Sequence, residues 1–189
     1  FLQYLRGALG GTLSAFEVMW GNYFSAVTEP GWHRSPMQRD YPFYIMIETE
    51  GSDPETDTSR FNDTLERAFE TELISDAVIP KSEAERKSLW DIRENFEAIL
   101  EKQPYYLYDV SLPIKDMPEY VSRVHTALHE QFTDAACYVL GHVADGNLHL
   151  FLCPGEPGNW HESCDQVVYG PLESFNGSIS AEHGIGTEK

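Results

Sequence analysis

Apolar residues recur along the chain at two spacings, and each spacing predicts one type of secondary structure. Steps of three and four residues indicate amphipathic helices, whereas alternation of apolar and polar residues indicates strands. The first spacing predicts helices over residues 12–27, from a cap at residue 57 or 58 to residue 73, and over 82–100, 116–132 and 160–175. Alternation between turn-forming residues predicts strands over residues 43–49, 77–79, 105–112, 136–143 and 147–153.

The order of these elements predicts the fold class. From residue 105 the order is strand, helix, strand, strand and helix, followed by an extended segment. This order is typical of split β-α-β units in ferredoxin-like folds. Together with the earlier strand–helix–strand, it predicts an α+β fold in which an antiparallel sheet carries helices on one face.

One predicted hairpin carries two histidines. Asp145-Gly146 is strongly favoured in two-residue hairpin turns. Such a turn places His142 directly opposite His149, with Cβ atoms about 4.5–5.5 Å apart. Because successive side chains of a strand point to opposite faces, the two histidines share one face of the hairpin, and apolar residues form a stripe on the other face. The further members of the histidine face are Tyr138, Leu140, Phe151 and Cys153.

A second polar segment, Ser180 to Gly186, follows near the end of the chain and contains Glu182 and His183. Two histidines and one carboxylate, with a coordination position left open, are a usual set of ligands for a catalytic divalent metal. His183 would then be available as a general base. On spacing alone both interpretations stay open, because single histidines are more often structural or exposed than ligands.

The charge of the chain restricts its partners. The 189 residues include 13 Lys and Arg against 31 Asp and Glu, giving a net charge of −18. An acidic field repels phosphates, which argues against nucleic acid and anionic membranes as partners. An anionic substrate would need a locally positive pocket.

Three other features bear on compartment and completeness. The longest apolar run, from Ala135 to Leu140, is far shorter than the roughly 20 residues that span a bilayer. Three cysteines without C-x-x-C spacing predict no disulfide framework and a reducing compartment, and we expect the cytoplasm. The chain begins without Met and stops just after a glycine-rich segment, so we expect a piece of a longer polypeptide.

The motifs together resemble one enzyme family. Segments 141–149 (GHVADGNLH) and 180–186 (SAEHGIG), with 90–94 (WDIRE) and 108–113 (YDVSLP), closely resemble the C-terminal domain of FAD-linked oxidases and dehydrogenases acting on D-2-hydroxy acids. Segment 13–17 (LSAFE) also fits. The family includes D-lactate dehydrogenases, D-2-hydroxyglutarate dehydrogenase and the flavin subunit of glycolate oxidase. The resemblance implies that residues 1–189 are one such domain, that a separate N-terminal domain holds most of the FAD, and that this domain is missing.

The resemblance also implies roles for single residues. His142, His149 and Glu182 would bind zinc or a similar divalent ion, with Mn²⁺ or Fe²⁺ as alternatives, and His183 would be the base. Arg93 would pair with the substrate carboxylate, although its place at the edge of an apolar stripe also allows it to extend outward into solvent. The implied partners are a small anionic 2-hydroxy acid, the flavin domain and an unidentified electron acceptor.

Departures from the family pattern predict the substrate. Leu107 stands where family members acting on 2-hydroxyglutarate carry Lys, and Glu97 where they carry Thr. Phe151 replaces their Asn and would line the substrate site. A second carboxylate would meet an apolar wall and a negative charge, so we expect a D-lactate-like substrate. The alternatives are a metal-dependent hydrolase and a non-catalytic cap or dimerisation domain.

Overall fold

The computed structural model describes residues 1–180, in which five strands form one antiparallel sheet. The spatial order of the strands is β2-β1-β4-β5-β3, so β2 and β3 are the edges. The strands, in chain order, are β1 (Leu13–Trp20), β2 (Phe43–Thr49), β3 (Tyr106–Ser111), β4 (Ala136–Gly141) and β5 (Asn147–Cys153).

Seven α-helices accompany the sheet in the described residues. They are α1 (Leu2–Leu9), α2 (Gly21–Val27), α3 (Pro54–Glu70), α4 (Glu83–Glu94), α5 (Glu97–Leu100), α6 (Met117–Gln131) and α7 (His161–Leu172). Short 3₁₀ turns lie at Gly10–Thr12, Ile114–Asp116, Val143–Asp145 and Glu173–Phe175.

The second half of the chain has the predicted split β-α-β topology. Strand β3 leads through α6 to β4, and β5 lies between them, paired antiparallel with both. After α7 the chain returns to the free edge of β3, where Ser178 pairs with Ser111. The predicted α+β class with an antiparallel sheet is therefore confirmed.

Two apolar layers enclose the sheet. One face of β3, β4 and β5 packs against α6 and α7, with Val139, Leu150 and Val168 fully buried. The opposite face packs against α2, α4 and α5, where Tyr23, Ile99 and Phe151 are buried. The predicted helical layer on one face is thus present, and shorter helices also cover part of the other. That second layer stops short of one end of the sheet, where polar side chains stand.

The predicted helix over residues 12–27 is wrong for its first half. Residues 13–20 form β1, which pairs with β2 on one side and β4 on the other. The apolar residues of β1 and α2 happen to follow each other at helical steps, but sheet pairing decides the conformation of β1. Gly21 lies at the junction of β1 and α2. Only glycine fits there, because a Cβ would meet the Tyr41 carbonyl oxygen at 2.4 Å.

Two further predictions need correction. Residues 77–79 form no strand, and Val78 and Ile79 stay exposed. The helix predicted over 82–100 is capped by Ser82 as expected but divides into α4 and α5. The break lies at Asn95, whose side-chain oxygen accepts a hydrogen bond from the Glu97 amide at 3.2 Å. Such side-chain bonds to nearby backbone compete with helix continuation.

None of the helices in residues 1–180 combines the length and apolar character needed to cross a bilayer. Cys137, Cys153 and Cys164 are buried free thiols. Burial raises the pKa of Cys153 to about 11 and that of Cys164 to about 12.

Candidate functional site

Polar side chains gather at one end of the sheet face that packs against α2, α4 and α5. Glu17 comes from β1, Asp109 from β3 and His149 from β5, while His142 follows β4 directly. Strand pairing aligns Met19 with Leu140, and His149 with both Leu140 and Asp109. Glu17, two residues before Met19, therefore shares one face with Asp109 and His149. The same face is therefore apolar over most of its length and charged at one end.

The two histidines share this face as predicted, but the predicted register is wrong. His149 pairs with Leu140, two positions away from the expected partner His142. The reason is the turn: Val143–Asp145 form a 3₁₀ turn and Gly146 follows with φ +82°. Five residues, His142 to Gly146, therefore connect the strands. The histidines are diagonal neighbours, with ring centroids 5.6 Å apart and planes at 84°.

Glu17 connects His142 with Arg93. Its Oε1 lies 2.5 Å from His142 Nδ1, and its Oε2 accepts a hydrogen bond from Arg93 Nε at 2.9 Å. A second guanidinium nitrogen, Arg93 Nη2, lies 3.0 Å from His142 Nε2. Glu17 is only 4% exposed, so its carboxylate is removed from water and compensated by these two partners.

Arg93 points into the site and does not extend outward into solvent. It lies in the last turn of α4, with its side chain 13% exposed. The buried Tyr23 hydroxyl donates to the Arg93 carbonyl oxygen at 3.0 Å and so fixes the end of α4. Burial raises the pKa of Tyr23, which keeps the phenol a donor. The predicted contact of Arg93 with a substrate stays a prediction.

His149 and its neighbours form the other half of the site. Asp109 Oδ1 lies 3.6 Å from His149 Nδ1, and the Asp109 carboxylate is buried. Asn147 is also buried, and within residues 1–180 its side-chain amide has no hydrogen-bond partner. A buried amide in this state can serve a ligand or residues beyond 180. Glu182 and His183 lie outside the described residues.

Phe151 lies on the predicted face but is 1% exposed. Phe96 stands over it, with ring centroids 5.1 Å apart. On the edge strand, Leu107 pairs with Phe151, next to the Asp109–His149 pair, and is 52% exposed. Phe96 and Leu107 therefore lie beside Phe151 on this face, and the predicted contact of Phe151 with a substrate stays a prediction.

The described residues fit a divalent cation in part. Among residues 1–180, no group of three His, Cys, Asp or Glu side chains is placed to hold a metal ion. The donor chemistry nevertheless suits such an ion, because two imidazoles stand close together at the ends of rigid strands. Each has a carboxylate near its Nδ1, Glu17 for His142 and Asp109 for His149. Carboxylates behind imidazoles are the usual support of histidine ligands.

Fold and site together define an α+β domain that presents an arginine and two histidines at the polar end of one sheet face. A model of the family described as FAD linked oxidases, C-terminal domain, matches residues 2–189. The chain belongs to this family.

Three relatives illustrate the similarity. The D-2-hydroxyglutarate dehydrogenase, mitochondrial, of Danio rerio is 33% identical over 99% of this chain and 35% of that protein. A putative mitochondrial D-lactate dehydrogenase of Schizosaccharomyces pombe is 33% identical over 97% of this chain and 37% of that protein. A D-2-hydroxyglutarate dehydrogenase of Xanthomonas citri pv. viticola is 32% identical over 94% of this chain and 38% of that protein. The chain thus spans little more than a third of these relatives.

Sequence reasoning did not assign Glu17, Asp109 and Asn147 to the site. Each stands in a segment already singled out: Glu17 ends LSAFE, Asp109 belongs to YDVSLP, and Asn147 lies between the histidines. The signal that could have found Glu17 and Asp109 is an acidic residue inside an otherwise apolar strand. Such a residue is buried only if it is paired.

Proposed function

We propose that this chain is the substrate-binding part of a flavin-dependent oxidoreductase that converts a small D-2-hydroxy acid into the 2-oxo acid. The observation that carries the proposal is the convergence of Arg93, His142 and His149 at one polar end of the sheet, in a chain of the FAD-linked oxidase family. A separate flavin-binding region would hold most of the FAD.

Arg93 supplies the positive charge that an anionic substrate needs near a chain of net charge −18. Its planar guanidinium can bind a carboxylate through two parallel hydrogen bonds. His142 and His149, with Glu182, would hold a divalent cation, with zinc first and manganese or iron as alternatives. When bound, the cation supplies Lewis acidity and makes a substrate hydroxyl easier to deprotonate.

The reaction needs one base and one hydride acceptor. His183 would take the hydroxyl proton while the Cα hydrogen leaves with its electron pair, and the carbon–oxygen double bond forms. The flavin supplies the acceptor for that hydride. The family's Glu-His-Gly-Ile-Gly motif at 182–186 supports this role of His183.

The substrate is expected to resemble D-lactate more than D-2-hydroxyglutarate. Leu107 and Phe96 present apolar surface where a second carboxylate would need a cation, and the nearby Glu97 is exposed and negative. The named relatives include both a D-lactate dehydrogenase and D-2-hydroxyglutarate dehydrogenases at equal identity, so the site residues carry this choice.

Reduction of the bound flavin by D-lactate, measured in the complete protein as loss of flavin absorbance, tests the activity. Elemental analysis should find a divalent metal. The double variant His142→Ala/His149→Ala should lose both metal and turnover, because both described ligands are gone. The matched control is His125→Ala/His129→Ala, which removes two histidines that stack on each other in α6, on the opposite face of the sheet from the site.

Each outcome separates the candidate functions. Loss of metal with unchanged turnover would indicate a cap or dimerisation domain. A complete protein with metal but no flavin would favour a hydrolase. The cytoplasmic location stays a prediction, and the names of the Danio rerio and Schizosaccharomyces pombe relatives include the word mitochondrial.

A further inference from the structure

We propose that Glu17 is the positioning residue of this site: it holds His142 in the tautomer whose Nε2 carries the lone pair, and it holds Arg93 in place over that nitrogen. The inference rests on the proposed function only in assuming that His142 and Arg93 bind ligands. The hydrogen-bond pattern that carries it stands by itself.

The tautomer of His142 follows from its two neighbours. Arginine nitrogens are always donors, so Arg93 Nη2 donates to His142 Nε2 across 3.0 Å. Nε2 must therefore be unprotonated. The imidazole proton is then on Nδ1, which donates to Glu17 Oε1 at 2.5 Å. One buried carboxylate thereby fixes which nitrogen of His142 can bind a cation.

The same carboxylate fixes Arg93. Glu17 Oε2 accepts from Arg93 Nε at 2.9 Å, which leaves Arg93 Nη2 turned toward His142. Both oxygens of Glu17 are thus used on residues that we assign to ligand binding.

Both side-chain oxygens of residue 17 must accept a hydrogen bond, one from Arg93 and one from His142. Gln at position 17 has the same shape, but it offers one acceptor and one donor in place of two acceptors. Its amide nitrogen would face either the Arg93 donor or the Nδ1–H donor of His142. The second clash is relieved at Nδ1 if His142 changes to the Nε2–H tautomer, but this tautomer removes the lone pair from Nε2 and sets its N–H against the Arg93 Nη2 donor, which must then move away.

Two measurements on the complete, metal-free protein test the proposal. The first is the tautomer, read from the nitrogen NMR shifts of isotope-labelled histidine rings. Wild-type His142 should show a protonated Nδ1 and an unprotonated Nε2, and Glu17→Gln should shift this pattern while His149 keeps its own. A wild-type His142 protonated on Nε2 would overturn the proposal, even if the variant fails to fold.

The second measurement is the affinity for Zn²⁺ alone, titrated against a chelating dye. Loss of a partner behind a histidine ligand typically lowers metal affinity about 10–100-fold, and we expect this for Glu17→Gln. The control is Glu48→Gln, which removes a glutamate of the neighbouring strand that pairs with Arg86 outside the site. It should bind Zn²⁺ as wild type does.

The outcomes distinguish the two proposals. Equal Zn²⁺ affinity of Glu17→Gln and wild type, with an unchanged His142 tautomer, contradicts the role of Glu17 and leaves the proposed function intact. If wild-type protein binds no Zn²⁺ and D-lactate does not reduce its flavin, the proposed function fails, and the NMR pattern still decides the role of Glu17.

Discussion

Among single residues, Arg93 has two competing uses. Its Nη2 occupies the lone pair of His142 that a cation would need. In the proposed function the same guanidinium would bind the substrate carboxylate. Arg93→Lys keeps a positive charge beside Glu17 but loses the planar fork. A lysine ammonium cannot bridge both Glu17 and His142 with the same geometry.

The Arg93→Lys variant should therefore change two properties in opposite directions. We expect tighter Zn²⁺ binding, because a competitor of the metal is removed. We also expect KM for D-lactate to rise about tenfold, since a charge-assisted hydrogen bond contributes about 1.5–3 kcal/mol. Titration with Zn²⁺ and steady-state kinetics measure the two effects. Arg86→Lys, in an exposed ion pair of the same helix, is the control. Weakened metal binding would show that Arg93 supports the metal site and does not compete with it.

A site residue could be predicted where a local pattern places it, and not where only a long-range contact does. His142 and His149 were recognisable because the observed register differs from the predicted one by two residues, and an even shift leaves both side chains on the same face of the sheet. Glu17 was hidden because residues 12–27 follow helical spacing, and as a helical residue it would have no relation to His142. Its role depends on the pairing of β1 with β4, a contact between residues more than 120 positions apart.

At the scale of elements, the hairpin between β4 and β5 sets the distance between the histidines. Gly141 is the last residue of β4, and a Cβ there would meet the Asn147 carbonyl oxygen at 2.3 Å and Leu148 Cα at 2.9 Å. Both atoms belong to backbone and cannot rotate away. The strands can approach this closely beside His142 only because position 141 has no side chain.

Gly141→Ala should accordingly lower the free energy of unfolding by about 1–3 kcal/mol, the usual cost of overpacking. It should also weaken Zn²⁺ binding, because the strands must separate next to His142. Gly7→Ala is the matched control: it lies exposed in α1 with open space around its Cβ position. There Ala should stabilise the helix by about 0.5–1 kcal/mol. Denaturant unfolding measures both, and equal stability of the two variants would contradict the close contact.

The elements themselves were predictable where local signals agreed. Ser82 and Glu85 give the start of α4, and Pro113 gives the end of the strand before α6. The sequence predicts a two-residue turn between β4 and β5, and the observed turn is longer. Asp145-Gly146 suits both, because Gly146 can also end a longer turn in the left-handed region. Local sequence does not distinguish these turns, whereas the pairing of Leu140 with His149 does.

For the whole molecule, substrate choice depends on how a small positive site is placed in an acidic protein. In the proposed function, Arg93 and a bound cation would provide for one carboxylate. A dicarboxylate needs a further cation on the same sheet face, and Leu107 occupies the register position beside Asp109 and His149 where one could stand. With a net charge of −18, the rest of the chain offers no general attraction for a second negative group.

Leu107→Lys should therefore move the preference toward D-2-hydroxyglutarate. Leu107 is half exposed at the edge of the sheet, so a lysine can be accommodated with its ammonium in water. We expect kcat/KM for D-2-hydroxyglutarate, divided by that for D-lactate, to rise about tenfold, which corresponds to about 1.4 kcal/mol of added interaction. Leu73→Lys adds the same charge at an exposed leucine just after α3 and should leave the ratio unchanged. If both variants raise the ratio equally, the net charge of the molecule and not the position of Leu107 sets the choice of substrate. If wild-type protein already prefers the dicarboxylate, the apolar wall of Leu107 and Phe96 does not exclude a second carboxylate.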